Sequence, residues 1–356
     1  MKILYIYKYA ILGGVTTQLV NRIEYLKEHI ECHVLYIQDC GGIRAFKDFS
    51  NVKVDNNINR IANYIDTENF DIVICIDTIE GYDALKKCKH KPIVISEVHT
   101  TTSNLDQLKT LKSDMPMDAF ITPSKYLKER ILEEYGYKGH KECYVVENCL
   151  DTKVFNTQCE VNKPNKKIIG WIGKLDDHKN WRKFLRIVSQ IIVIEKNVEI
   201  WLIGGYTAPQ YVVKDFISEL NNYNIMDYVK WYPYIEYDKM PQIYRQIALS
   251  GGMTISTSRN ESFGMTAVEA MACKCPLIMP KVGALVEVMD KGLEQYLYDY
   301  EDDVRVLELV QQIFAKADNQ VIDVGYDKVY NCYSIEKIGE KYLKTLEDIR
   351  INKLNQ

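Results

Sequence analysis

Residues 256–280 read STSRNESFGMTAVEAMACKCPLIMP, and the order of residue types along them decides the architecture. Residues 264–273 are rich in Ala, Met, Val and Glu without an internal breaker, which predicts a helix. Residues 275–279 then read as a short buried strand, and 252–257 as the strand that feeds the segment. Strand, loop, helix and strand in that order make one unit of a parallel α/β sheet. The loop opens at the carboxyl end of a strand, where ligands of open α/β sheets bind. It carries Glu261, and Glu269 follows in the helix. A solvated face is the plain reading of two acids so spaced. For Glu269 the apolar neighbours Ala267, Val268, Ala270 and Met271 argue against it.

Outward from this stretch the same alternation recurs. Apolar, β-rich runs at residues 2–7, 32–37, 52–54, 71–76, 92–97, 119–122 and 144–146 predict the strands of a first half. Helical segments separate most of them, beginning at Val15 with apolar spacing through Leu19, Ile23 and Leu26. A second alternation starts at 168–172 and continues through 198–203 and 229–232. Between the halves, residues 151–167 are polar and contain Pro164, as a linker would be. The expected fold is α/β, with two Rossmann-like doubly wound domains facing across a cleft. Their boundaries are expected at 1–155 and 156–333, with a terminal helix over 334–356 crossing back to the first domain.

Composition narrows the class. The chain has 356 residues, 47% hydrophobic and 26% charged, as in ordinary globular proteins. A net charge of −4 implies no general affinity for nucleic acid. No run approaches the roughly 20 apolar residues of a membrane span. The N-terminal apolar run is broken by Lys8 and ends in Gly13-Gly14, unlike a secretory signal, so a cytoplasmic protein is expected. Ten cysteines are scattered, with Cys75 and Cys275 inside apolar runs, which fits reduced thiols. Cys273 and Cys275 lack a second Cys/His pair at zinc spacing, so no metal is expected.

Candidate ligand groups follow from the strand-end rule. Gly13-Gly14 lies between a strand and a helix start, where backbone amides could meet an anion, and a tight turn is the competing reading. Lys174 and Lys179 flank the loop GKLDDHKN and could meet a phosphate; Asp176 and Asp177 offer the alternative of a neutralised surface turn. His99 follows a strand end and could donate a hydrogen bond to a substrate hydroxyl or phosphate, or be structural. The helix start near Gly264 offers free amides and a partial positive charge. A diphosphate there would have a carboxylate on each side. Like charges repel, so Glu261 and Glu269 suit hydroxyl groups better, one on a sugar and the other on a ribose. That pattern points to a nucleotide sugar.

These residues resemble a known family. Glu261, seven residues and Glu269 within ESFGMTAVEAMACKCPLIMP resemble the E-x7-E signature of the family 4 retaining glycosyltransferases, which have the GT-B fold. GKLDDHKN resembles the family's phosphate loop, VVENCLDTKVF the end of its first domain, and WYPYI the loop beside the base. The resemblance implies an acceptor-side first domain and a nucleotide-sugar-binding second domain. It implies that Lys174 and Lys179, beside Gly173, neutralise the diphosphate leaving group. Glu269 would accept from ribose hydroxyls, and Glu261 would hold the donor sugar with amides of Phe263, Gly264 and Met265. Tyr234 would lie beside the base, His99 would contact donor sugar or phosphate, and Gly13 and Gly14 would let their loop approach the diphosphate.

The implied activity is retaining, metal-independent transfer of a hexose or N-acetylhexosamine, UDP-sugar favoured, to a carbohydrate, glycolipid or small-molecule acceptor. The product would be a cell-surface polysaccharide, glycoconjugate or natural-product glycoside. No cofactor is implied beyond the nucleotide-sugar co-substrate. Two departures stand out. Lys174 occupies a position where Arg is commoner, which keeps the charge and loses the bidentate fork. The segment between His99 and Asp118 is short and holds few basic or aromatic residues, which implies an open acceptor site rather than a membrane-embedded one. A nucleotide-sugar epimerase of the same fold would need acid/base residues beyond His99. A non-catalytic partner subunit is disfavoured by the intact Glu261, Glu269, Lys174, Lys179 and His99.

Overall fold

The computed structural model describes residues 1–47, 49–100, 117–134 and 142–355. The chain divides into two units, one formed by Met1–Cys149 with Tyr333–Gln356 and the other by Leu150–Cys332. Sequence reading put the first division at 155/156. Phe155 instead belongs to the second unit. Its ring is fully buried, with centroids 4.9 Å from Tyr237 and 6.5 Å from Tyr244. The polar run that looks like a linker is thus anchored at its start by one aromatic side chain.

The first unit holds a seven-stranded parallel sheet. Its strands are β1 (Lys2–Ala10), β2 (Glu31–Asp39), β3 (Val52–Val54), β4 (Ile72–Ile76), β5 (Ile93–Glu97), β6 (Ala119–Thr122) and β7 (Glu142–Val145), in the order β3-β2-β1-β4-β5-β6-β7. Strands of such sheets are covered on both faces, which explains why they read as continuous apolar runs. Along β1, Ile3 and Tyr5 face one core, while Leu4 and Ile6 face the other. The helix Gly14–Leu26 and the C-terminal helix Ile335–Leu354 contribute to the first core. The helices Ile58–Glu68 and Glu80–Lys87 contribute to the second.

The C-terminal helix carries its apolar stripe at Ile335, Ile338, Tyr342, Leu346 and Ile349, spaced to one face. Ser334 caps it by accepting from the Lys337 amide. Gly339 lets this helix close on the first one: a Cβ there would fall 2.3 Å from the Tyr25 ring.

The second unit repeats the plan. Its strands are β8 (Lys167–Ile172), β9 (Val198–Ile203), β10 (Val229–Tyr232), β11 (Met253–Ile255), β12 (Leu277–Pro280) and β13 (Leu297–Tyr298), ordered β10-β9-β8-β11-β12-β13 and all parallel. In this order the strand sequence reverses between β8 and β11. Their carboxyl-end loops therefore lie side by side at the switch point. The helix Asn319–Lys328 and the π-helical turn Val329–Tyr333 have no counterpart in the sequence expectation. Among the described residues, no helix is long and apolar enough to cross a membrane.

Candidate active site

The loop after β8 contains Gly173, Lys174 and Lys179, and the loop after β11 contains Glu261. Thr257 joins them. Its Oγ1 receives the Trp171 Nε1–H at 3.0 Å and lies 3.0 Å from the carbonyl oxygens of both Lys179 and Asn180. The Arg259 amide donates to the His178 carbonyl at 2.8 Å, a second tie between the loops. Within the first loop, Asp176 accepts from the Lys179 amide at 2.8 Å. Asn180, at φ +50°, caps the following helix by accepting from the Lys183 amide. Asp176 thus shapes the loop locally, whichever ligand the lysines serve.

Held this way, Lys179 Nζ forms an ion pair with Glu261 Oε1. Two groups separated by 82 residues become direct partners. Burial alone would raise the Glu261 carboxyl; Lys179 outweighs it, and the carboxyl lies below its ordinary value. Ser258 adds a hydrogen bond to the same carboxylate. Gly173 leaves room for the lysine stem, since a Cβ there would sit 3.1 Å from Lys179 Cγ. Lys174 is exposed and makes no ion pair among the described residues. The structure therefore brings Lys179, and not Lys174, to the carboxylate.

Helix Met265–Ala272 begins directly after this loop. Gly264 precedes it at φ +104°, a conformation L side chains rarely adopt, and a Cβ there would fall 2.5 Å from Leu285 Cδ2. Phe263 is buried and anchors the turn, and Met265 is the first helical residue. Glu269 lies inside the helix and is 7% exposed. Tyr244 donates to its Oε2 at 2.8 Å. Burial raises the Glu269 carboxyl to about 7, against hydrogen bonds from Tyr244 and Tyr237 that favour its charged form. The two acids thus differ in electrostatic state: Glu261 is compensated by a cation, whereas Glu269 is a buried acid held by phenols. Tyr244 and Tyr237 escaped the sequence reading because no local spacing links them to Glu269.

Tyr234, in the loop after β10, is 40% exposed and packs edge-on against Tyr206, with centroids 5.5 Å apart and planes at 74°. Tyr206 follows Gly204-Gly205 at the end of β9. It is a further exposed aromatic that motif spacing did not single out.

In the first unit, Gly13 precedes the helix Gly14–Leu26 and Gly14 opens it; a Cβ at either would meet no atom within 4 Å. His99 follows β5. Its side chain is 5% exposed, and its Nε2 lies 2.7 Å from Glu97 Oε1. One of its two ring nitrogens is therefore engaged within the protein. The expectation of an open acceptor segment falls on residues 101–116, outside the described residues.

Residues 155–321 match the family model described as Glycosyl transferases group 1. Spore coat protein SA of Bacillus subtilis is 20% identical over 270 residues, 70% of this chain and 71% of that protein. N-acetyl-alpha-D-glucosaminyl L-malate synthase of Bacillus anthracis is 26% identical over 220 residues, 60% of this chain and just over half, 55%, of the relative. The crystal structure of Anabaena Alr3699/HepE in complex with UDP and glucose superposes with a TM-score of 0.82 at 16% identity, covering 98% of this chain and 99% of that one. The two parallel α/β units thus have the GT-B glycosyltransferase fold, and residues 155–321 are similar to the group 1 glycosyl transferases.

Proposed function

We propose that the protein is a retaining glycosyltransferase that moves a hexose or N-acetylhexosamine from a UDP-sugar to an acceptor hydroxyl in the cytoplasm. The observation that carries this reading is the convergence of Lys179, Glu261 and the start of helix Met265–Ala272 at the switch point of one sheet. A fixed cation and helix-start amides suit a leaving diphosphate, whose charge grows as the glycosidic bond breaks. Interactions that strengthen as that charge develops lower the barrier. Glu261 accepts from sugar hydroxyls, and its ion pair with Lys179 holds it charged for that purpose. Glu269 accepts from the ribose. Lys174 adds charge at the loop surface, while Tyr234 flanks the base. His99 takes a hydroxyl of the sugar, and Gly13 and Gly14 leave their loop open to the diphosphate. Retention follows if the leaving phosphate itself deprotonates the acceptor on the face it departs from. The bound UDP of the Anabaena structure supports uracil as the base.

The test is a thermal-shift screen of nucleotides and nucleotide sugars, followed by turnover of the best donor with sugar acceptors. Binding at 100 times Kd stabilises by about 2.7 kcal/mol, a readable shift. Glu261→Gln is expected to lose turnover while keeping the fold, and EDTA to leave the rate unchanged. No binding of any UDP-, GDP- or ADP-sugar sinks the proposal. Product analysis that finds an epimerised nucleotide sugar and no transfer replaces it with the epimerase reading.

A further inference from the structure

The first unit buries a polar cluster around Glu97, of which the proposed reaction uses only His99 directly. Glu97 ends β5 with a side chain 1% exposed. Three donors from three elements converge on it. Arg22 Nη1, from the first helix, lies 2.6 Å from Oε1; His99 Nε2 lies 2.7 Å from the same oxygen; Tyr342 OH, from the C-terminal helix, donates to Oε2 at 2.8 Å. The Arg22 guanidinium also stacks 3.9 Å from the centre of the Tyr342 ring. On the backbone side, the His99 amide lies 3.2 and 3.3 Å from the two Asp77 carboxylate oxygens, and Thr100 Oγ1 donates to Asp77 at 2.7 Å. The imidazole is therefore held at its backbone and at one ring nitrogen.

We propose that Glu97 is a positioning residue that keeps the proton on His99 Nε2 and so presents Nδ1 as a hydrogen-bond acceptor to a hydroxyl of the substrate sugar. The argument is one of donor and acceptor counting. Arg22 is always charged and only donates. A carboxylate beside it, with a phenol on its other oxygen, has no proton to give and only accepts. Burial would raise the Glu97 carboxyl, but the Arg22 charge and the hydrogen bond to His99 lower it, and it lies at about 2. The hydrogen between Glu97 and His99 must then belong to Nε2, and in a neutral ring the other nitrogen carries the lone pair. Nδ1 makes no hydrogen bond among the described residues. The other ionisable groups against the cluster are Asp77, raised by burial, Tyr5 of β1 and Cys149.

This has a chemical consequence. An ionised phosphate oxygen has no hydrogen to offer Nδ1, whereas a sugar hydroxyl has one. A ring that carries only the Nε2 proton would therefore take a hydroxyl and not a phosphate, the first of the two partners that the sequence left open for His99. Tyr342 brings the C-terminal helix into the same device, 245 residues from Glu97 along the chain.

The inference rests on the reading that His99 meets the sugar, and the test separates the two. Ring nitrogens of the full chain labelled with 15N-histidine are followed by NMR, in which the two neutral tautomers and the doubly protonated ring are distinguished. The His99 signal is identified by its loss in His99→Asn. Protonation at Nε2 with a bare Nδ1 is expected; protonation at Nδ1 overturns the proposal whatever the kinetics show. The paired variant R22M/E97L removes both charges together, so that neither is left buried alone. It is expected to populate both tautomers and to weaken UDP-glucose binding about three- to tenfold, the loss of one neutral hydrogen bond, with UDP binding unchanged. An unchanged tautomer in that variant also overturns the positioning role. If His99→Asn binds UDP-glucose and UDP as the parent does, the sugar-contact reading fails and takes the substrate half of the inference with it.

Discussion

Glu269 gives a prediction whose size and sign follow from its environment. Its carboxyl is buried in helix Met265–Ala272 with Tyr244 donating to it. The folded value of about 7, against 4.5 in the open chain, corresponds to about 3 kcal/mol. The sign is set by which state binds more protons. Between 4.5 and about 7 the folded protein keeps the proton that the unfolded chain has lost. Stability therefore falls as pH rises through this window, and the loss is complete above it. Glu269→Gln retains an oxygen for Tyr244 and has no proton to exchange. The stability of the parent relative to this variant should drop by about 3 kcal/mol between about pH 4 and pH 8. The four tryptophans Trp171, Trp181, Trp201 and Trp231 all lie in the second unit, so urea denaturation followed by their fluorescence reports on the relevant unit. A parent-minus-variant difference that stays flat over this window, or rises with pH, refutes the assignment of Glu269 as a buried acid.

Three further outcomes are expected. Near pH 6 the same carboxyl is mostly protonated, so binding of UDP-glucose through ribose hydroxyls should release close to one proton. Calorimetry in buffers of different ionisation enthalpy measures this, and zero release contradicts the ribose role. Gly264→Ala combines a φ of +104° with a Cβ placed 2.5 Å from Leu285; a loss of about 1–3 kcal/mol in the second unit is expected by urea melting. Phe155→Ala should cost about 3–5 kcal/mol in the tryptophan-monitored transition, because its buried ring belongs to that unit, and no shift there would return the unit boundary to its sequence-read position.

Much of the architecture was legible in residue order. Parallel strands buried on both faces leave unbroken apolar runs, so β1, β4, β5 and β9 could be read directly. The helix carrying Glu269 was legible because its residues favour helix and no breaker interrupts them, and the burial of Glu269 followed from its neighbours. The helix Asn319–Lys328 was not legible: it carries Gly325 and two aspartates, and only Val321 and Gly325 are buried in it. Its apolar signal is weak because so little of it is buried.

By itself the sequence determined the α/β alternation, the strand-end positions of His99, Lys179 and Glu261, and the E-x7-E spacing, since periodicity and turn chemistry are local properties. Only the tertiary structure decided who partners whom. The order β8-β11 sets two loops side by side and pairs Lys179 with Glu261. The order β4-β5 and the packing of both terminal helices gather Arg22, His99 and Tyr342 on the Glu97 carboxylate. Apart from the neighbouring His99, these contacts join residues 75 to 245 positions apart, and no local pattern specifies them, because sheet order and helix docking are satisfied by the whole core at once.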